Sequence, residues 1–407
     1  MDSLIAAAAR ALATGDPLGA LKRVALRDDA PALALRGIAM AQLGDFSTAN
    51  KLLRSAIEAF GSKQAVSRAR CIVAKAEIAL AQRDLGVTTK ALDIACATLE
   101  SHGDHGNAMH ARLLCVRRFL LLGRLDEAER MLSQIDRILL VAASRIVYDL
   151  AVAGIAIRRM RIKLAGATLA GAEQLAREVN IPALTAEVEN ALRVMHEPAA
   201  RLRSNNGESR LLLLEDIETL YASPVLIVDA CRHVIRHSNI SVSLATRPIL
   251  FALVRALATA WPGDVPRNTL ITCAFRAKRI DESHRVRLRV EIARLRVELR
   301  TVANVIATQQ GFTLAPRDAQ DVVILTPLVE SKHADVLALL ADGESWSTSA
   351  LSLAAGASPR TIQRALDALA AAGKALPIGR GRTRRWMTPP MLRIPTILLL
   401  PGPLPIA

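Results

Sequence analysis

The chain has 407 residues, of which 51% are hydrophobic and only 3% aromatic, so its cores must be mostly Ala, Leu, Ile and Val. Such cores favour helices over aromatic-rich β-sandwiches. With 53 basic against 38 acidic residues the formal charge is +15, which suits a polyanion such as nucleic acid. The excess is uneven: residues 1–200 hold 26 basic and 21 acidic residues, and residues 201–407 hold 27 and 17. The second half is therefore the better candidate for meeting a polyanion. Five scattered cysteines, none in a C-x-x-C pair, fit a reducing cytosol. The N-terminus MDSLIAAAARALATGDP lacks the basic region of a signal peptide, and no apolar run reaches the length of a membrane span. A cytoplasmic protein without a membrane partner is expected.

Residues 1–200 carry a weak repeat. Gly44-Asp45-Phe46-Ser47-Thr48-Ala49 matches Gly123-Arg124-Leu125-Asp126-Glu127-Ala128, Gly86 precedes Ala91 at the same offset, and a degenerate copy runs from Ile162 to Ala167. The steps are 42, 37 and 39 residues. Each copy predicts a helix, a short turn at Gly and a second helix approached closely at Ala. The pattern resembles tetratricopeptide repeats, although their usual period is shorter, about 34 residues. The resemblance implies an α-solenoid that stacks its apolar faces and offers a surface to a protein or peptide partner or to a second copy of the chain. His102, His105 and His110 with Asp104 could ligate a metal. They fall between two repeats, where polar loops are expected anyway, so no metal or cofactor is predicted.

Ser204-Asn205-Asn206-Gly207 is a strong loop signal, and residues 201–224 are expected to be a linker. Short strands follow at Val225–Val228 and Ile240–Leu244. A helix then runs from a Thr246 cap to Trp261-Pro262-Gly263, and a second covers Asn268 to Phe275. Residues 283–300, SHRVRLRVEIARLRVELR, alternate like a strand at first. A strand, however, would turn Arg294 inward. A helix instead gathers Leu288, Ile292, Leu295 and Leu299 into one stripe, with Asp281 or Ser283 as cap. Two short strands from Val305 to Leu314 close the segment, turning at Gln309-Gln310-Gly311.

Strands, three helices and a terminal hairpin over residues 226–316 resemble the winged-helix output domain of OmpR/PhoB-type response regulators. The landmarks are Leu244-Ala245-Thr246, Pro266-Arg267-Asn268-Thr269-Leu270, Ile292-Ala293-Arg294-Leu295-Arg296 and Gly311-Phe312-Thr313-Leu314. The resemblance implies that the third helix enters the DNA major groove. Arg294 then corresponds to a base-reading position and Val290 to one that touches a thymine methyl. Arg287 and Arg296 correspond to backbone-contacting positions, and Arg285 flanks them. Arg289 stands where the family has an acid. The hairpin tip offers Thr308, Gln309 and Gln310 in place of basic residues. The family's receiver domain is missing, so control by aspartyl phosphorylation is not expected.

Residues 330–390 carry a second such pattern. A helix begins at Asp335, Ser347-Thr348 cap another ending at Gly356, and Ser358-Pro359 start a third that Gly373 ends. Gly379-Arg380-Gly381-Arg382-Thr383-Arg384-Arg385-Trp386 then forms a basic hairpin. This resembles the winged helix-turn-helix of bacterial regulators. Arg360, Thr361, Gln363 and Arg364 are expected to reach base edges, and Arg380, Arg382, Arg384 and Arg385 to lie along phosphates. No phosphate-loop motif occurs, and no catalytic constellation is evident, so no enzyme activity is expected.

The expected architecture is thus mainly α. A tetratricopeptide-like solenoid (1–200) and a linker (201–224) precede two winged-helix α+β domains (225–317 and 330–390) and a tail (391–407). The expected function is a bacterial transcriptional regulator that binds double-stranded DNA. The alternative is a protein-interaction scaffold or anti-regulator that does not read DNA sequence.

Overall fold

A computed structural model describes residues 3–85, 90–204, 209–244, 247–275, 279–328, 333–340, 345–378, 381 and 384–388. The chain is mainly helical with some sheet, and it divides into two compact units. One comprises Met1–Arg193 with Lys332–Ala407, the other Val194–Ser331.

The first unit opens with α1 (Ser3–Ala13), α2 (Pro17–Val24), α3 (Ala30–Gln42), α4 (Phe46–Phe60), α5 (Ala65–Ala81) and α6 (Lys90–Ser101). It continues with α7 (His105–Leu121), α8 (Leu125–Leu132), α9 (Ala142–Arg158), α10 (Ile162–Val179) and α11 (Pro182–His196). From α1 to α10 consecutive helices pack on one another, and α1, α3, α5, α7 and α9 also pack each on the next of that series.

One turn recurs between the paired helices. Gly15, Gly44, Arg83, Gly123 and Met160 adopt left-handed φ values of 77°, 85°, 52°, 71° and 57°. At each of them the following amide donates back five residues into the preceding helix, as in Asp45 N–H to the Met40 carbonyl at 2.9 Å and Arg161 N–H to the Ala156 carbonyl at 2.8 Å. This is the Schellman closure, which satisfies carbonyls that the helix end leaves open. Five residues beyond the turn residue, Ala20, Ala49, Ala128 and Ala165 are fully buried. The turns differ from the expected spacing in three ways. One falls at Gly15, one at Met160 where the degenerate copy was expected to start at Ile162, and one at Arg83. Gly86 lies outside the described residues.

The second unit holds β1 (Ala200–Arg203), β2 (Ser209–Leu212), α12 (Leu214–Tyr221), β3 (Leu226–Asp229), β4 (Val234–His237) and β5 (Ile240–Ser243). Three helices follow: α13 (Pro248–Ala260), α14 (Arg267–Phe275) and α15 (Glu282–Leu299). Strand β6 (Asp264–Pro266) precedes α14, and β7 (Ala303–Ala307), β8 (Gly311–Pro316) and β9 (Val322–Thr326) end the unit. One sheet has the order β2-β1-β9-β3-β4-β5, with β9 parallel to β3 and antiparallel to β1; the other has the order β6-β8-β7. The supposed linker 201–224 thus carries most of β1, all of β2 and α12, and the unit runs on past 317 to β9. Thr246, the expected cap, lies outside the described residues, and α13 starts after Arg247.

Leu288, Ile292, Leu295 and Leu299 of α15 are buried with Leu253, Val254 and Leu257 of α13 and Leu270 of α14 in one core. Burying each of these side chains is worth about 2 kcal/mol. The helical stripe therefore outweighs any strand-like alternation of the arginines.

The C-terminal segment returns to the first unit as α16 (Ala334–Leu340), α17 (Thr348–Ala355), α18 (Pro359–Ala371), β10 (Leu376–Ile378) and β11 (Arg385–Met387). The Ser347 and Ser358 hydroxyls accept from the Ala350 and Thr361 amides, as their N-cap positions require. The backbones of Trp346 and Trp386 pair in both directions at 2.7 Å, and both rings are fully buried. This module does not stand apart from the helices: Val336, Trp346, Leu366 and Trp386 belong to the same buried cluster as Val73, Leu80 and Leu114.

Candidate nucleic-acid interface

Helix α15 begins where Asp281 accepts from the His284 amide at 3.0 Å. That bond, with the Ser283 hydroxyl and the His284 ring, holds the Asp281 carboxyl down at about 2, against an ordinary value of 3.8. The folded value lies below the unfolded one. The cap's contribution is therefore complete above pH 3.8 and is lost as the pH falls through 2. Asp281→Ala is expected to fray the first turn at neutral pH. Hydrogen exchange should show faster loss of protection at Arg285 and Val286, with Leu295 unchanged.

With Leu288, Ile292, Leu295 and Leu299 inward, the outward face of α15 is Val286, Val290, Ala293 and Val297, all exposed. Arginines border this strip on both sides. On one edge stand Arg287, stacked 4.6 Å over the Phe275 ring, and Arg294, whose Nη1 donates to the Glu291 carboxylate at 2.9 Å. Glu291 is 8% exposed, so Arg294 neutralises a nearly buried carboxylate and keeps the rest of its fork outward. On the other edge stand Arg285, bonded to Glu282 at 3.2 Å, with Arg289, Arg296 and Arg300.

Two of the expected roles are changed by this geometry. Arg294 is an edge residue rather than the central one, and Val290 holds the centre. Arg296, though exposed, is bonded to the fold: its Nε donates to the Val305 carbonyl at 2.7 Å and its guanidinium lies 6.0 Å from the Phe312 ring centre. It ties α15 to the hairpin instead of reaching a phosphate with its full fork. Val286, Ala293 and Val297 were missed, although their spacing of three and four residues beside Val290 would have found them.

The chain matches no family model, no curated protein and no solved structure.

The hairpin between β7 and β8 is held from α14. Arg267 donates to the Gln309 carbonyl at 2.9 Å and the Thr308 carbonyl at 3.0 Å, while the Thr308 hydroxyl donates to Asp264 at 2.5 Å. The tip is therefore pre-set, with Arg267 supplying a cation at its base.

On α18, Arg360, Thr361 and Arg364 are exposed at the N-terminal end. The Thr361 hydroxyl is already 2.8 Å from that of Ser358. Gln363 departs from its expected role, because its amide is spent internally: Oε1 accepts from Thr348 at 3.3 Å and Nε2 donates to Asp367 at 2.9 Å. Arg385 departs further. Half-buried, it donates to the Gln82 carbonyl at 3.0 Å, at the C-terminal end of α5 where a cation is favoured. Arg384 lies 4.2 Å over the Trp386 ring and stays exposed. Arg380 and Arg382 lie outside the described residues.

The histidine cluster finds protein partners. His110, buried, pairs with Glu77 at 3.0 Å; Asp104 pairs with Arg70 at 2.6 Å; His102 faces the Thr98 carbonyl at 2.8 Å. Among the described residues no group of His, Cys, Asp and Glu could hold a metal ion, and no helix is long and apolar enough to cross a membrane.

Proposed function

We propose that the protein is a DNA-binding transcriptional regulator in which α15 and α18 are recognition helices of two winged-helix modules, and the paired helices form a tetratricopeptide-like stack that binds a partner. One observation carries the DNA reading: the exposed strip of Val286, Val290, Ala293 and Val297 runs between two rows of arginine on a capped, well-packed helix. Arginine forks match phosphates or guanine edges, and small aliphatic side chains match thymine methyls. Such a face reads methyl-rich steps at its centre and grips the backbone at its edges. The second module adds Arg360, Arg364 and Arg384, and two modest contacts on one chain gain effective concentration. The packing of α1, α3, α5, α7 and α9 one on the next supports the stacked reading of the helical half.

The test is fluorescence anisotropy of a labelled duplex across a salt series. Arg287, Arg294, Arg285 and Arg289 together predict log K falling against log salt with a slope near −4, at about −0.9 per phosphate, and steeper if α18 joins. Salt-independent binding, or none to any duplex at low salt, rules the reading out. The scaffold alternative draws on the same valine strip, which could seat a protein. It predicts a partner that binds in 1 M salt, where screening removes phosphate contacts.

A further inference from the structure

Within the helical half, α5, α7, α9 and α11 line a half-open cavity of about 250 Å³. Its walls are mainly apolar, with Leu80, Leu114, Leu120, Val147 and Leu150. Five charged side chains also line it: Arg83, Arg117 and Arg158 against Glu77 and Glu187, leaving one positive charge in excess. Arg117 pairs with Glu187, and Glu77 pairs with His110. Arg158 has no such pairing. Its Nη1 reaches only the Gly154 carbonyl of its own helix, at 3.1 Å, and it has no carboxylate partner among the described residues. Glu187 Oε2 is buried with no protein donor.

A cavity with an uncommitted guanidinium, an uncommitted buried acceptor and apolar walls defines its ligand's chemistry. It is smaller than the roughly 300–1,000 Å³ of drug-sized sites, so the ligand is small. We propose that this cavity binds a small monocarboxylate with an apolar body, its carboxylate on Arg158 and an adjacent O–H or N–H directed to Glu187 Oε2.

The site also sits where the C-terminal module docks. Leu80 and Ala81, in the last turn of α5, and Arg83 line the cavity. The Gln82 carbonyl between them takes the Arg385 bond, and the Arg83 guanidinium lies 5.8 Å from the Trp346 ring centre. Arg83 holds its place in a left-handed turn at φ 52°, a conformation that disfavours a side chain unless its surroundings fix it. Occupancy of the cavity is therefore felt at Trp346. The inference goes beyond the DNA reading and is tested without DNA.

The probe is 2-hydroxy-4-methylpentanoate, titrated into the full chain by calorimetry and by tryptophan emission. The comparison ligands are 4-methylpentanoate, which lacks the hydroxyl, and 4-methylpentan-1-ol, which lacks the carboxylate. The hydroxy acid should bind tightest and the alcohol at least tenfold more weakly, the worth of one charge-assisted contact. Arg158→Met should weaken the acid at least tenfold at an unchanged melting temperature, and Arg158→Lys should restore part of it. The emission change should vanish in Trp346→Phe. Equal binding of acid and alcohol, no heat with any of the three, or an unchanged Kd in Arg158→Met would overturn the site. Binding without an emission change would overturn its link to the C-terminal module.

Discussion

Reversing Arg294 and Arg364 to Glu together should lower retention on duplex DNA by at least about thirty-fold, since each arginine contact to a base edge or phosphate is worth roughly 1–3 kcal/mol. The residues sit on different modules, so their effects should be nearly additive if each module touches DNA by itself. Arg294 needs a control, because its guanidinium also holds the nearly buried Glu291 carboxylate at 2.9 Å. A Glu at 294 would set two carboxylates together and disturb the helix. Arg294→Gln removes the charge while an amide N–H still meets Glu291, so affinity should fall without loss of melting temperature. Arg364 stands exposed on α18, and its reversal should leave stability alone. Full retention of DNA in the double variant would show that α15 and α18 are not the reading helices.

Gly311→Ala should cost stability more than any surface change. A Cβ there would lie 1.8 Å from the Val265 carbonyl oxygen and 2.6 Å from its carbon. The obstacle is backbone rather than a side-chain tip, so nothing can swing aside. Gly311 faces Pro266 in the β6–β8 ladder, and the clash separates two strands whose pairing pins the hairpin to the start of α14. We expect a loss of about 3 kcal/mol, seen as a melting transition lower by on the order of 10 °C. Arg267 would lose its grip on the Thr308 and Gln309 carbonyls, so duplex affinity should fall even where the protein stays folded. An unshifted transition would mean that β6 and β8 are not paired as described.

The helices of the second unit were legible because amphipathic spacing and caps are local signals. Leu288 to Leu299 and Asp281 needed only eighteen residues of context. Strands β1 and β2 were hidden by their polarity: Arg201, Arg203, Ser209 and Arg210 occupy a sheet margin, so no hydrophobic alternation survives. Strand β9 failed in the opposite way. Val322 to Thr326 are all buried, and a strand covered on both faces shows no period of two by which to recognise it. In the helical half the repeat was blurred because Arg83 and Met160 occupy a position where Gly is easiest. At the candidate interface the residue types were legible and their commitments were not. Arg296, Gln363 and Arg385 carry the right chemistry, but each is bonded to a part of the chain whose proximity only the fold reveals.

Strand β9 also sets an order of events. Among the described residues the β1–β2 hairpin joins the rest of its sheet through β9, made more than a hundred residues later. On a translating ribosome helices α1 to α11 find one another as they emerge and can begin to consolidate, although the C-terminal module that completes the α5 and α7 cluster comes last. The sheet cannot: until residue 326 clears the exit tunnel, the margins of β1 and β3 are both open to pairing with any passing strand. Nascent chains arrested before Val322 should therefore be the stage at which chaperones engage this protein most strongly.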